Sequence, residues 1–162
     1  MVNKAKADSG RAVRLRIAPA RGESDREWCA SLMAGSEPWI TLRRDLEATR
    51  SALERPGSEL YVARDGTRRL GFILLHPWGL AGSPYITSIA VEESARGRGV
   101  GSQLIAFAEQ HFAGRRHLFL CVSSFNHRAQ ELYERLGFER VTEFPDYIVE
   151  GYSEILFHKM LS

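Results

Sequence analysis

Three glycines and two arginines occupy residues 96–101, which read Arg-Gly-Arg-Gly-Val-Gly and lead directly into an amphipathic segment. Glycine is a poor residue for starting a helix, so this composition indicates backbone that must be exposed or closely packed. Three uses fit: a tight turn, a close contact between a helix and a strand, or a ligand that touches the main chain. If a strand precedes the turn and a helix follows it, the free N–H groups and the helix dipole favour a bound anion. A pyrophosphate-bearing ligand would suit such a site.

The spacing of this turn departs from two well-known phosphate-binding loops. A Walker A loop carries Gly-Lys-Ser/Thr after its spacer, whereas Ser102 follows Gly101 here without an intervening lysine. A dinucleotide-binding fingerprint reads Gly-x-Gly-x-x-Gly after the first strand of its domain, whereas this turn reads Gly-x-Gly-x-Gly and follows the fourth predicted strand. Nucleotide binding by the turn is therefore the weaker alternative.

The elements that must position the turn are predicted from hydrophobic periodicity and turn residues. A strand over 83–91, a helix over 101–112 and a strand over 117–124 predict a right-handed parallel crossover with the glycine turn at its centre. Asp65-Gly66 predicts a hairpin between two further strands. The remaining predictions are strands over 13–20, 59–66, 68–77, 138–149 and 151–161, and helices over 24–35 with Ser24 as its cap, over 41–57, and over 127–137.

The order of these elements is one strand, two helices, three strands, a helix, a strand, a helix and two strands, which predicts a mixed α/β sheet. At 162 residues, the chain is long enough for one domain with a sizeable core. We expect residues 1–12 to form a flexible leader and residues 13–162 to form that single domain.

Charge and cysteine content exclude several classes of function. A net charge of +2 is too mild for a general nucleic-acid-binding protein. Cys29 and Cys121 are far apart, so they offer no metal-binding spacing and no disulfide scaffold, and we expect no metal. No apolar run approaches the roughly 20 residues of a membrane span, and no signal peptide follows Met1. We therefore expect a cytoplasmic protein with neither a nucleic-acid nor a membrane partner.

The glycine turn and a second block resemble the GNAT superfamily of N-acetyltransferases. Residues 96–101 are similar to its Arg/Gln-x-x-Gly-x-Gly/Ala signature, which grips the pyrophosphate of acetyl-coenzyme A. Residues 126–138 are similar to its block Asn-x-x-Ala-x-x-x-Tyr-x-x-x-Gly-Phe. The segment 118–138 looks closest to the ribosomal-protein alanine N-acetyltransferases and their relatives. The resemblance covers nearly the whole chain and implies a mostly antiparallel seven-stranded sheet, a splayed parallel pair formed by strands four and five, and about four flanking helices.

The resemblance also implies roles for individual residues. The strand end at 89–91 would pair with the pantetheine arm, and the N–H of Val91 would face the thioester oxygen, a type of contact worth roughly 3 kcal/mol to an oxyanion. Tyr133 would be the catalytic residue that protonates the departing thiolate, although its position on an apolar stripe also suits a core tyrosine. Asn126 would contact the coenzyme as well as cap its helix. The residues implied for acetyl-CoA binding are Ile89, Ala90, Val91, Arg96, Gly97, Arg98, Gly99, Val100, Gly101, Ser102, Asn126 and Ala129.

The general base is where the sequence departs from this family. Close relatives carry a glutamate where Cys121 stands, and we expect Cys121 to be a buried structural thiol. An α-amine with a pKa of about 8 would lose only about 1.4 kcal/mol at pH 7 without a base, whereas a lysine amine near 10.4 would lose about 4.6 kcal/mol. Substitute bases are Glu92, His76, Glu59, His127 and Tyr152.

The resemblance therefore implies transfer of acetyl from acetyl-CoA to a primary amine, either a peptide N-terminus or a small molecule. A longer acyl-CoA as donor, or a module that binds CoA without catalysis, are the alternatives. Acceptor specificity would lie in residues 20–60 and in the loop 144–153. A homodimer is an open expectation, since no motif addresses assembly.

Overall fold

The structure, a computed structural model, describes residues 15–162. The predicted leader at 1–12 and the first two residues of the first predicted strand lie outside that range. The chain forms one seven-stranded sheet in the order β1-β2-β3-β4-β5-β7-β6, in which β4 and β5 are parallel and every other neighbouring pair is antiparallel. The strands are β1 (Arg16–Pro19), β2 (Glu59–Asp65), β3 (Arg68–Leu80), β4 (Ser83–Val91), β5 (His117–Ser123), β6 (Glu139–Phe144) and β7 (Glu154–Met160).

Four α-helices cover the sheet, which confirms the predicted mixed architecture. They are α1 (Gly22–Ala34), α2 (Leu46–Leu53), α3 (Val100–His111) and α4 (His127–Arg135). Successive residues of a strand face opposite sides of a sheet, so the sheet contributes to two cores. On one face, Ile73 and Leu75 of β3 pack in the cluster that includes Leu104 of α3. On the other face, Phe72 packs in the cluster that includes Met33 of α1. None of the helices in the described part of the chain has the length and apolar character that a membrane span requires.

Two helix predictions were wrong in detail. Ser24 does not cap α1, because the helix begins at Gly22 and the Ser24 hydroxyl accepts a hydrogen bond from Arg69 instead. The helix predicted over 41–57 is only α2, because the side chain of Asp45 accepts from the N–H of Ala48 at 2.8 Å and starts the helix there. Leu42 is still buried, but it lies in the turns that precede α2.

The sheet opens between β4 and β5, as predicted. Pairing between these strands is limited to Tyr85 with Phe119 and Ile86 with Leu120. Just beyond, the register of β3 and β4 shifts, so that Thr87 is left as an extra residue in β4. A β-bulge bends its strand and increases the local twist, which explains why β4 leaves β5 at this point. The last five residues of β4 therefore border a gap in the sheet, and the glycine turn follows at its edge.

Candidate active site

A cavity of about 580 Å³ lies along the end of β4, the glycine turn and the first turns of α3 and α4. Twelve of the thirteen residues that the sequence assigned to the site line it, and Arg98 is the exception. Trp39, from the turns before α2, closes part of the same cavity. The lining residues assigned from the sequence are Ile89, Ala90, Val91, Arg96, Gly97, Gly99, Val100, Gly101, Ser102, Asn126, Ala129 and Tyr133.

The glycine turn presents a row of main-chain donors to this cavity. Gly97 and Gly99 have φ angles of 73° and 79°, a conformation that side chains disfavour, and a Cβ on Gly99 would meet nothing within 4 Å. The first bond of α3 runs from the N–H of Gln103 to the carbonyl of Gly99 at 3.1 Å. The N–H groups of residues 97–102 donate to no acceptor among residues 15–162. These free donors at the positive end of a helix dipole fit a diphosphate.

Gly101 has a different role from the two glycines before it. Its φ is ordinary, and a Cβ there would lie 3.3 Å from Cδ2 of Leu132 on α4 and 3.9 Å from Cγ2 of Val91. The absence of a side chain thus lets α3 approach α4 and β4 closely. The neighbouring Val100 is 1% exposed and packs in the core, so its N–H, rather than its side chain, is available to a ligand. The turn therefore combines all three uses that its composition suggested.

The arginines of the turn differ in placement. Arg96 lines the cavity, and its Nε donates to the carbonyl of Val91 at 3.2 Å, which holds the guanidinium beside the end of β4. Arg98 is exposed and does not line the cavity. Arg128 of α4, which sequence reasoning missed, does line it, and its Nη2 lies 3.9 Å from where a Cβ on Gly97 would be. Arg128 falls within the second family block, but at a position that the block leaves unspecified, so the sequence carried no signal for it.

The end of β4 directs main-chain donors into the gap. The N–H of Glu92 bonds to the carbonyl of Leu70 at 2.8 Å, and this pair continues the register of Val91 with Gly71. Hydrogen-bonded and non-bonded pairs alternate along an antiparallel ladder, so the Val91 and Gly71 pair is a non-bonded one. The N–H groups of Val91 and Ile89 consequently point away from β3, toward the side that β5 has left. An extended ligand arm could pair with them there.

A second cavity, of about 700 Å³, adjoins the first. The two share the lining residues Trp39, Ile89, Asn126 and Tyr133, so they meet where β4 and β5 diverge. The strands of the sheet supply much of the apolar lining of the second cavity, and the turns before α2 and the segment after β6 supply further apolar residues. Its charged lining residues are Arg44, Arg55 and Glu154. Both regions that the sequence suggested for acceptor specificity contribute to its wall.

Tyr133 lies at the junction of the two cavities. Its ring packs against Phe138 and Phe157, at centroid distances of 6.0 and 6.2 Å, and the residue is 5% exposed. Its hydroxyl forms no hydrogen bond with any described residue, and the oxygen is not among the fully buried atoms without a partner. Burial raises the pKa of Tyr133, so the hydroxyl keeps its proton near neutral pH. The side chain is thus a core residue whose protonated hydroxyl lies at the meeting point of the two cavities.

Asn126 caps α4, as the sequence predicted. Its Oδ1 accepts from the N–H of Ala129 at 3.4 Å, and both residues line the first cavity. The cap fixes the start of α4 next to the glycine turn, and Tyr133 follows two turns later on the same helix.

A cluster of four polar or ionisable side chains lines the second cavity near the point where β4, β5 and β7 meet. It includes Tyr85, Cys121, Ser123 and Glu154. Cys121 is only half-buried and shares a hydrogen bond with Tyr85, so the prediction of a buried structural thiol was wrong. The side chains of His117, Phe119 and Cys121 share one face of β5, and all three are only partly buried, although β4 still pairs with β5 at Phe119. Burial raises the pKa values of Cys121 and Tyr85, so both groups hold their protons at neutral pH.

The five substitute bases suggested by the sequence lie outside both cavities. Glu59 pairs with His111 at 2.7 Å, and Glu92 pairs with Ser94 and Arg68. His76 accepts from the N–H of Trp78 at 3.2 Å. His127 is exposed at the start of α4, and Tyr152 makes an edge contact with Phe125. Sequence reasoning missed Glu154, whose only signal was an acid directly before the apolar residues Ile155, Leu156 and Phe157 of β7.

Comparison with known proteins assigns the chain to a family. Residues 25–138 match the model of the acetyltransferase (GNAT) family. An uncharacterized N-acetyltransferase of Methanocaldococcus jannaschii is 32% identical over 103 residues, which are 61% of this chain and 64% of that protein. The match thus spans less than two thirds of the length of that relative.

Solved structures share the whole fold. A GNAT-family protein from Desulfovibrio desulfuricans superposes with a TM-score of 0.78 at 17% identity, covering 92% of this chain and 100% of that one. A GNAT-family acetyltransferase from Elizabethkingia anophelis, solved with acetyl-CoA bound, gives a TM-score of 0.73 at 20% identity, covering 91% and 98%. The family match extends over the strand, the glycine turn, α3 and α4 that build the first cavity. The chain belongs to the acetyltransferase (GNAT) family.

Proposed function

We propose that the protein transfers the acetyl group of acetyl-CoA to a primary amine by direct attack of the amine on the thioester. The observation that carries the proposal is the row of free N–H groups at residues 97–102, which opens onto the gap between β4 and β5. Diphosphate binding at this turn would place the pantetheine arm along Ile89 and Val91, whose N–H groups face the gap. The thioester would then lie toward Tyr133, where the two cavities meet.

In the proposed reaction, the amine enters through the second cavity and its lone pair attacks the carbonyl carbon of the thioester. The N–H of Ile89, which lines both cavities, would stabilise the oxyanion of the tetrahedral intermediate, since a positioned main-chain donor acts where charge develops. The N–H of Val91, nearer the glycine turn than the expected thioester position, would pair with the pantetheine arm. The nitrogen of the intermediate loses a proton to solvent. As the C–S bond breaks, the hydroxyl of Tyr133 protonates the leaving thiolate and regains its proton from solvent. No covalent acyl-enzyme is required, so Cys121 need not act as a nucleophile.

A binding assay followed by a turnover assay tests this proposal. We expect CoA and acetyl-CoA to bind in calorimetry, and ATP and NAD to fail to displace them. Release of free CoA is then measured with four acceptors: a peptide with a free N-terminal alanine, 2-phenylethylamine, spermidine and kanamycin. Turnover with at least one amine is the expected result. Tight CoA binding without turnover for any amine or acyl-CoA would instead identify a binding module, and preferential binding of ATP or NAD would reject the site assignment.

A further inference from the structure

Glu154 is a buried carboxylate that faces the second cavity. It is the first residue of β7, where it pairs with Ser123 of β5 and with Phe144 of β6. The residue is 6% exposed and lines the cavity. Its Oε1 accepts from the hydroxyl of Ser123, and its second oxygen has no hydrogen-bond partner among residues 15–162. Among those residues, Ser58 Oγ is the only fully buried side-chain polar atom without a partner, so this second oxygen retains access to the cavity.

The carboxylate has no cationic partner within the described part of the chain. Buried acids are normally paired, as Asp25 is here with Arg64 and Arg69. A buried, unpaired carboxylate that opens onto a cavity favours a cation from outside the chain. In an acetyltransferase, the cation that must reach this cavity is the protonated form of the acceptor amine.

We propose that Glu154 is the catalytic base of this protein, and that its carboxylate accepts the proton of the acceptor's ammonium group. The inference rests on the proposed acetyl transfer and deepens it by assigning the base. It also accounts for the cysteine at position 121, because the carboxylate lies on the neighbouring strand, where Cys121 pairs with Leu156 two residues further along β7.

Of the titratable groups in this cluster, Glu154 is the one that can accept a proton near neutral pH. Burial raises the pKa of its carboxyl above the ordinary value, which brings the group closer to working pH and makes it a better proton acceptor. The hydrogen bond from Ser123 opposes this shift without cancelling it. The titratable groups that face it are Cys121 of β5 and Tyr85 of β4, and both remain protonated near neutral pH. From β6, the residue alongside is the apolar Phe144.

The proton balance of the step is complete. The ammonium nitrogen gives one proton to Glu154, and the freed lone pair forms the C–N bond to the thioester carbonyl carbon. The nitrogen of the tetrahedral intermediate loses a second proton to solvent. The C–S bond breaks with its electron pair on sulfur, which takes a proton from Tyr133. Glu154 returns its proton to solvent and Tyr133 regains one from solvent, so the net release is one proton for each acetyl group transferred.

The charges that line the second cavity restrict how many positive charges the acceptor can carry. The charged residues that line the cavity in the described structure are one carboxylate and two arginines, Arg44 and Arg55. A single ammonium group can reach Glu154, whereas a second or third positive charge would meet arginine. The rest of the acceptor would contact Trp39, Tyr147 and Ile148. We therefore expect monoamines with an apolar body to outperform spermidine and kanamycin.

The test measures kcat/KM for Glu154→Gln between pH 6 and pH 10 with the best acceptor of the panel. At pH 6 to 7 we expect a loss of at least tenfold, and we expect the loss to shrink as pH approaches the pKa of the ammonium group, because the amine then loses its proton unaided. Glu143→Gln on β6 makes the same chemical change outside both cavities and should leave the profile unchanged. CoA affinity should be retained in both variants.

Three outcomes would overturn the inference. They are an unchanged rate, a loss that is the same factor at every pH, and an acceptor order in which spermidine or kanamycin leads. If Glu154→Gln does not fold, Glu154→Asp and Ser123→Ala provide the same test, since each should alter the acidic limb of the profile without abolishing CoA binding. An inactive wild type would contradict the proposed function itself, and an active wild type with an unaltered variant would contradict only the assignment of Glu154.

Discussion

Nη2 of Arg128 lies 3.9 Å from the position that a Cβ on Gly97 would take, so a guanidinium of α4 stands over the glycine turn that precedes α3. The two elements are far apart in sequence, and capping of α4 by Asn126 brings the arginine to this place. The turn therefore offers an anion both main-chain donors and a positive side chain.

Removing this side chain should weaken CoA binding without abolishing it. Arg128 is exposed, so its contribution to phosphate binding is expected to be about 1 kcal/mol, or roughly fivefold in affinity, and to fade as salt is added. Calorimetry of Arg128→Ala with CoA at low and high salt checks this. Arg116→Ala removes the same charge from an exposed position outside both cavities and should bind as the wild type does. Equal affinities for the two variants would remove Arg128 from the site.

Gly99 provides a test that separates backbone strain from ligand contact. Gly99→Val places a side chain on a left-handed residue beside the free N–H groups, so we expect it to lower stability by about 1–2 kcal/mol and to weaken CoA binding sharply. Gly114 has a φ of 87° and open space around its Cβ, but it lies outside the cavity. Gly114→Val should therefore lose similar stability while CoA affinity is preserved. Matching losses of affinity in both variants would show that strain alone is responsible.

Tyr133→Phe should lower kcat at least tenfold while the protein folds and binds CoA. The ring contacts with Phe138 and Phe157 remain in the variant, and only the hydroxyl at the junction of the cavities is lost. Steady-state kinetics and thermal denaturation, measured together, check this. Tyr152→Phe removes an equivalent hydroxyl outside both cavities and serves as the control. An unchanged kcat for Tyr133→Phe would leave this residue with a packing role only.

Asp25 on α1 should stabilise the fold in a pH-dependent way. Burial opposes the charge of Asp25, but hydrogen bonds from Arg64, the N–H of Arg21 and Arg69 outweigh it and lower the pKa of the carboxyl. The stabilisation that the ionised Asp25 gives to the fold is therefore fully present above the pKa of the carboxyl in the unfolded chain, which is about 4. It is lost as pH falls through the lower pKa that the carboxyl has in the folded protein. We expect Asp25→Asn to destabilise by about 3 kcal/mol at pH 7, because two guanidinium groups lose their partner.

Urea unfolding of Asp25→Asn and the wild type at pH 7 and at progressively lower pH measures this contribution. The difference in the free energy of unfolding should narrow as the solution becomes acidic. Glu27→Gln breaks an exposed ion pair with Arg50 and should change stability little at either pH. A difference for Asp25→Asn that is independent of pH would contradict the ionised pair.

Much of the fold follows from local pattern, because alternating apolar residues and turn signals define the strands. The predicted strand over 83–91 is β4, residue for residue, since a turn at Gly82 precedes it and the glycine turn follows it. The helix predicted over 41–57 was too long because periodicity alone did not reveal that Asp45 would start a new helix there. Tertiary contact decides the state of Cys121, because the face of β5 that it shares with His117 and Phe119 is only partly covered by the rest of the fold.

In the site, too, some residues can be identified from local sequence pattern and others only from tertiary placement. The glycine turn and Tyr133 carry a local motif that can be read from sequence, whereas Arg128 and Glu154 become relevant through their placement against other elements. No pattern in the sequence states that the start of β7 lies beside the end of β5. Long-range pairing of this kind is set by the whole sheet, so the acid at position 154 is recognised as part of a cavity only in three dimensions.

The most direct test of the account is amide NMR of the protein titrated with CoA and, separately, with pantetheine. CoA should shift the N–H signals of residues 97–102 together with those of Ile89 and Val91, because the diphosphate binds the turn and the arm pairs with β4. Pantetheine, which lacks the diphosphate, should shift only the signals of Ile89 and Val91. Binding of CoA that leaves the N–H signals of residues 97–102 in place would contradict the central claim.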